Sequence, residues 1–380
     1  SEQITEMKWT QTRERVKPGT GTLNDVSAKD LTKWAIQLQQ QARSASHAVT
    51  LPLISYLGTS RLWFEGRFTS MAEDVALNTH DYSRISGYVN CLSSSSSFKA
   101  FTTWYGWVYR CYREEQIRAL ETNMPLSVEG QRFSDIIDVI KTAVDTLITE
   151  ATGWHSLEYK ASQNQQLVMQ HECFGSIPVD MLSDGVRNAI AVVADLAFRA
   201  YKLNPQFGKE AARLTPGIAL IDEVDMFLHP SWQQKIAGAL LRAFPKVQFI
   251  VTTHSPQVLS TVPAECICVL TATWDEKHEK QRIMVRPVTQ QTQGVASSDI
   301  MAEVMGTDPM PNLETVRQLS RYMALIQQGL EDSEPARLLY AALVEHYGLE
   351  HPLMQECQRL RRLQNLKKRL PPKDEKVCTN

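Results

Sequence analysis

Three short apolar runs break off into turn or polar residues: LPLISYL (51–57), IALI (218–221) and VQFIV (247–251). That arrangement leaves few folds open. A continuous apolar run of about five residues reads as a strand buried on both faces, the kind a parallel sheet uses. The second and third runs are separated by SWQQKIAGALLRA, a helix-period stretch over 231–243. Strand, helix, strand in that order specifies a parallel pair with a crossover helix, hence an α/β architecture. The carboxyl ends of such strands line one edge of the sheet, and ligands bind there. Asp222 ends the strand at 217–222 and Glu223 follows it, and Thr252, Thr253 and His254 stand at the tip of the next strand. Arg61 follows the first run. All are expected on that edge.

Two adjacent acids at a strand end suit phosphoryl-transfer chemistry, which consists mostly of positioning and charge stabilisation. Asp222 would hold Mg²⁺ through water, because that ion keeps much of its hydration shell. Glu223 would polarise an attacking water, and His254 would hydrogen-bond a γ-phosphate or that water. A third element is Leu182-Ser183-Asp184-Gly185, a turn ahead of an apolar helix over Asn188–Lys202 that Pro205 ends. Backbone N–H groups, a hydroxyl and a positive helix end together make an anion site. Each element taken alone has a plainer reading. The acids could be a solvated turn, His254 a packing histidine, and Ser-Asp-Gly an N-cap.

The remainder of the chain sets bounds. Its 380 residues suffice for one large domain or two moderate ones. A hydrophobic share of 43% with 22% charged residues describes an ordinary globular protein, and a net charge of −2 argues against wrapping nucleic acid over the whole surface. No run approaches the roughly 20 apolar residues of a membrane helix, and the N-terminal residues show no signal-peptide pattern. Seven scattered cysteines, with Cys266 and Cys268 expected on one strand face, point to reduced thiols and a cytoplasmic home. Helices are expected over 28–44, 98–121 and 134–151, the last capped by Ser134, with a hairpin over 154–160 and 165–171. Strands follow at 265–272 and 283–288, and helices fill the last 90 or so residues. The final helix aligns Leu360, Leu363, Leu366 and Leu370 on one face. Around them lie Arg359, Arg361, Arg362, Lys367, Lys368 and Arg369. That helix suits an acidic partner or nucleic-acid phosphates, or simply packs on its own domain.

In order, LSDGVRNAIAVVADLA, IALIDEVDMFLHPSWQQ and FIVTTHSPQVL resemble the signature motif, the Walker B strand with its D-loop, and the H-switch of ABC-type ATPases. The branch is that of the structural-maintenance and RecF-like proteins. The forms IDEVDMFLHP and TTHSPQVLS narrow the resemblance to stand-alone AAA family ATPases. Within them it is greatest to the PtuA-like ATPases of Septu and retron anti-phage systems. The resemblance implies a P-loop NTPase fold of ABC-ATPase type, in which a dimer sandwiches two ATP molecules with Mg²⁺. Asp222, Glu223 and His254 would act at the phosphates. Leu182, Ser183, Asp184 and Gly185 of one subunit would meet the nucleotide of the other, with Asp225 acting from the D-loop and Arg61 near its strand end. Implied partners are a second copy, an HNH nuclease of the PtuB kind, and a retron reverse transcriptase with its RNA–DNA product (msDNA).

The resemblance divides the chain into the remainder of an N-terminal ATPase lobe (1–97), a helical insertion (98–153), the second half of the ATPase core (154–290) and a helical docking region (291–380). A Gly-x-x-x-x-Gly-Lys-Ser/Thr phosphate loop occurs nowhere in the sequence. The chain is therefore expected to begin downstream of that loop, the alternative being a degenerate ATPase that lacks it, and by itself neither to bind ATP tightly nor to hydrolyse it. Rival readings are a RecF-like repair or chromosome-maintenance ATPase and a non-hydrolysing scaffold. A Toprim nuclease domain is not expected, because residues 291–380 lack its acidic pattern.

Overall fold

The computed structural model describes residues 11–12, 23–24, 26–43, 49–59, 84–92, 98–160, 166–275 and 280–369. Two compact units emerge, Ser1–Ser297 and Ser298–Asn380. In the first, a two-residue bridge pairs Gln11–Thr12 with Leu23–Asn24. There follow α1 (Val26–Arg43), β1 (Leu53–Leu57), α2 (Phe98–Thr122), α3 (Val128–Thr152), β2 (His155–Lys160), β3 (Gln166–His171) and β4 (Gly175–Pro178). Next come α4 (Asp184–Leu203), β5 (Gly217–Ile221), α5 (Pro230–Ala243), β6 (Val247–Val251), β7 (Cys268–Asp275) and β8 (Lys280–Pro287).

The parallel sheet predicted from the three apolar runs is present, in the order β1-β5-β6, with Leu57, Ile221 and Val251 in register at the carboxyl edge. Its faces are unequal. Leu53, Leu57, Ala219, Ile221 and Val247 enter the core, whereas Ile54, Ile218 and Ile250 are 39%, 42% and 51% exposed. A strand buried on both sides was expected for 51–57, and Ile54 departs from that expectation. Alternate residues of a strand point to opposite faces, and among the described residues the helices cover only one of them.

A two-way amide clasp positions β1. The Leu51 N–H donates to Asn204 Oδ1 and Asn204 Nδ2 donates to the Leu51 carbonyl, both at 2.8 Å. Arg84 adds a bond to the Leu203 carbonyl at 2.7 Å. Asn204 is fully buried, so these bonds meet a desolvation cost that would otherwise destabilise the fold.

The core lies where α3 packs on α4 and α5. Ile137, Ile140, Val144, Leu147 and Ile148 form the buried stripe of α3, each worth roughly 1.5–3 kcal/mol of apolar burial. This helix begins earlier than Ser134. Ser127 is the N-cap and its hydroxyl accepts the Gly130 N–H at 2.9 Å. The helix stops at Gly153, whose N–H still bonds the Thr149 carbonyl and whose left-handed φ of 76° turns the following chain out of the helix. The hairpin expected from 154–171 is the first part of a meander, since β4 adds a third antiparallel strand. β7 and β8 form an antiparallel hairpin of their own. Only Cys268 belongs to a strand there, because Cys266 ends a 3₁₀ turn.

The second unit holds most of α6 (Ser297–Glu303), then α7 (Glu314–Gln327), α8 (Glu334–Tyr347) and α9 (Pro352–Arg369). Its small core contains Leu319, Tyr322, Ile326, Ala336, Leu343, Met354 and Cys357.

Candidate functional site

The acidic pair and the histidine segment share one edge of the sheet. Asp222 continues the ladder by donating its N–H to the Leu57 carbonyl at 2.9 Å, and Thr252 donates to Ile221 at 3.0 Å. Beyond that pairing the two tips are joined by side chains. The Thr252 hydroxyl donates to Asp222 Oδ1 at 2.6 Å and accepts the Glu223 N–H at 2.9 Å. The Thr253 hydroxyl donates to Asp225 Oδ1 at 2.5 Å and accepts the Ser255 N–H at 3.0 Å. A backbone bond from Val224 to the Thr252 carbonyl, 3.0 Å, completes the seam.

The loop leaving β5 is tightly turned. Glu223 and Phe227 both take left-handed backbone, at φ 47° and 63°, a conformation that costs a non-glycine residue about 1–2 kcal/mol. The Met226 N–H returns to the Glu223 carbonyl and Leu228 to Asp225. Val224 and Leu228 are buried and hold the loop onto the core. His229 then caps α5, which opens with Pro230 in the first turn, where its missing N–H costs nothing.

The helix α4 opens at this loop. Ser183 is its N-cap and Asp184 lies in its first turn. Leu182 and Gly185 are buried, Asp184 is half-buried and Ser183 is exposed. A Cβ on Gly185 would stand 2.4 Å from the Phe227 carbonyl oxygen, so only glycine allows this approach. Asn188 Nδ2 donates to the Met226 carbonyl at 3.3 Å. Asp184 pairs with Arg187 one turn along.

The structure thus gathers Asp222, Glu223, Asp225 and the segment of His254 at the strand ends, and it sets Gly185, at the start of α4, against Phe227 of the 222–228 loop. His254 is exposed between Thr253 and the buried Ser255. Asp225 is engaged with Thr253 inside its own chain. Arg61 lies outside the described residues. Thr252, Thr253, Asn188 and Gln233 received no role from the sequence, although Gln233 Oε1 accepts the Ser255 hydroxyl at 2.7 Å. The string Thr-Thr-His carried the signal for the threonines, because hydroxyls beside a strand-end histidine stand opposite the neighbouring strand's acids.

The basic helix divides its charges. Arg359 is paired with Glu356, with two contacts of 2.7 Å, and holds that carboxyl below its ordinary value. Arg361 pairs with Asp332 at 3.1 Å and lies 5.7 Å from the Tyr340 ring centre. Arg362 and Lys367 are exposed and form no ion pair with a described residue. Leu360 packs on the unit's core, whereas Leu363 and Leu366 are 42% and 57% exposed. The expected single leucine face is therefore split. The side chains of Lys368 and Arg369, and Leu370 as a whole, fall outside the described residues.

Residues 170–260, which contain the α4 turn, the acidic pair and His254, match the family described as "AAA domain, putative AbiEii toxin, Type IV TA system". The resemblance to AAA family ATPases holds over that segment. Among individual relatives, the chain is 31% identical over 220 residues to "Retron Ec83 probable ATPase" of Escherichia coli, covering 58% of this chain and 38% of that protein. It is 32% identical over 146 residues to "Septu protein PtuA" of Bacillus mycoides (strain KBAB4), covering 38% of this chain and 19% of that protein. The chain thus spans well under half the length of the curated relatives it matches. Among solved structures, an SMC head bound to the C-winged helix domain of ScpA gives a TM-score of 0.30 at 12% identity over 50% of each chain, too slight a likeness to argue from.

Proposed function

We propose that this chain is the ATPase subunit of a prokaryotic anti-phage defence complex of the Septu or retron kind. Its Asp222–Glu223 edge would form half of a nucleotide site completed by a second copy. The observation that carries the reading is the bond between Thr252 and Asp222. It holds the acids and the His254 segment on one strand-end edge, within the stretch that matches the AAA family.

Asp222 is the carboxylate suited to Mg²⁺. Among the described residues no group of three or more His, Cys, Asp or Glu is arranged to hold a metal. Mg²⁺ takes one or two carboxylates and otherwise water and phosphate oxygens. When bound, Mg²⁺ neutralises charge on the phosphates. Glu223, next in the chain, orients water for attack, and His254 hydrogen-bonds the γ-phosphate or that water. Ser183 and Gly185 supply backbone N–H groups at a positive helix end to the partner's nucleotide. The complex would further contain an HNH nuclease and, in the retron form, a reverse transcriptase with its RNA–DNA. On α9, Arg362 and Lys367 are the described cations free for such a partner.

The test is Glu223→Gln in the assembled complex. Hydrolysis should fall by about two orders of magnitude or more while ATP binding persists, because loss of the water-orienting group affects only the chemical step. Wild-type turnover in the variant would defeat the hydrolytic reading and leave an ATP-dependent scaffold. Copurification with an HNH protein tests the partner.

A further inference from the structure

We infer that Thr252 is a positioning residue for this edge: a single hydroxyl fixes both the carboxylate of Asp222 and the left-handed backbone of Glu223. A threonine hydroxyl has one proton to give and two lone pairs. Here the proton goes to Asp222 Oδ1 at 2.6 Å, and a lone pair takes the Glu223 N–H at 2.9 Å. Both partners lie on β5's exit, and the hydroxyl comes from the tip of β6. The bond to Asp222 engages one carboxylate oxygen and restricts the rotation of that carboxylate. The bond to Glu223 holds a peptide that would otherwise leave a strained φ of 47°.

Thr253 repeats the device one residue on, giving its proton to Asp225 and accepting the Ser255 N–H. The consecutive hydroxyls therefore act on the first and fourth residues of the Asp222–Asp225 turn. β-Branching restricts the χ1 freedom of each hydroxyl, which limits the entropy lost in holding it. Under the ATPase reading, on which this assignment rests for its catalytic consequence, Asp222 and Glu223 reach the phosphates in one orientation because Thr252 sets it.

The experiment uses the 380-residue chain with Thr252→Val, which keeps the shape and removes the hydroxyl, and Thr252→Ser, which restores it. The first readout is residue-resolved amide exchange. Glu223 N–H loses its acceptor in Thr252→Val and should exchange at least tenfold faster. Val224 N–H bonds the Thr252 backbone carbonyl and should keep its protection. Thr252→Ser should return Glu223 to within about threefold of wild type. Equal acceleration of both amides, or none, or no rescue by serine, would overturn the assignment.

The second readout is Mn²⁺, standing in for Mg²⁺, followed by paramagnetic broadening of amides around Asp222. Thr252→Val should weaken Mn²⁺ binding several-fold and Thr252→Ser should not. Asp222→Asn is the control. If it leaves the broadening unchanged, the metal role of Asp222 fails and the exchange data alone decide on Thr252. If Asp222→Asn abolishes the broadening and Thr252→Val does not weaken it, the positioning role fails while the metal role stands.

Discussion

The Phe227 carbonyl oxygen stands 2.4 Å from the place a Cβ on Gly185 would take, so the start of α4 and the loop leaving β5 meet backbone to backbone. The β6 tip holds Asp222 and Asp225 of the same loop through two hydroxyls. The loop is clasped between two elements that are distant in sequence. A displacement of Gly185 therefore reaches the acids through rigid backbone rather than through flexible side chains.

Gly185→Ala follows from that contact. The methyl group meets a peptide oxygen, which cannot rotate away, so the loop or the helix must shift. Overpacking of this kind costs about 1–3 kcal/mol. Chemical denaturation should show a lower midpoint with an unchanged slope, and amide shifts should extend to residues 226–228. A variant as stable as wild type would show that the two backbones separate freely.

Glu223→Gly should act in the opposite direction. Glycine adopts a left-handed φ without the penalty a side chain carries, so stability should rise by roughly 0.5–1 kcal/mol in a thermal or urea melt. Under the proposed function the same variant should be unable to hydrolyse ATP. A gain in stability with a loss of activity is the signature of backbone strain kept for chemistry.

Thr253→Val leaves the buried Ser255 N–H and the Asp225 carboxylate without their shared partner. One lost hydrogen bond to a buried donor costs about 1–3 kcal/mol. Urea unfolding should register that loss, and Thr253→Ser should recover most of it.

Asp145 offers a pH test away from the site. Burial pushes its carboxyl above the ordinary aspartate value, partly offset by the Ser156 N–H it accepts at 2.7 Å. The folded chain therefore binds this proton more tightly than the unfolded chain does. Its stabilising contribution is fully present below the ordinary aspartate value and is lost as pH rises through the raised folded value. Asp145→Asn keeps an oxygen for Ser156 and carries no charge. Denaturation midpoints across that window should decline less in the variant than in wild type.

On α9 the two kinds of apolar residue should separate. Met354 is fully buried, and Met354→Ala should destabilise the second unit by about 2–5 kcal/mol. Leu366, more than half exposed, should change its melting by less than about 0.5 kcal/mol as Leu366→Ala. Comparable losses would place Leu366 in a contact within the unit.

Much of the architecture was open to inference from the chain alone. Apolar runs at 51–57, 218–221 and 247–251 demanded buried strands, and the helix-period stretch at 231–243 demanded a crossover, so a parallel sheet with Asp222, Glu223 and His254 at one edge followed from local chemistry. Helix ends were less legible. The sequence points to Ser134 as the cap of α3; the cap in the fold is Ser127, whose hydroxyl accepts the Gly130 N–H and donates to Glu115 twelve residues earlier, a tertiary bond that no local pattern announces. Which face of the sheet and of α9 is covered was decided by tertiary contacts, as Ile54 and Leu366 show, because hydrophobicity does not record whether a neighbour arrives. The hydroxyl bridges from Thr252 and Thr253, and the approach of Gly185 to Phe227, depend on strand register and loop curvature. Those distances arise between residues about 30 to 40 positions apart, and no local pattern encodes them.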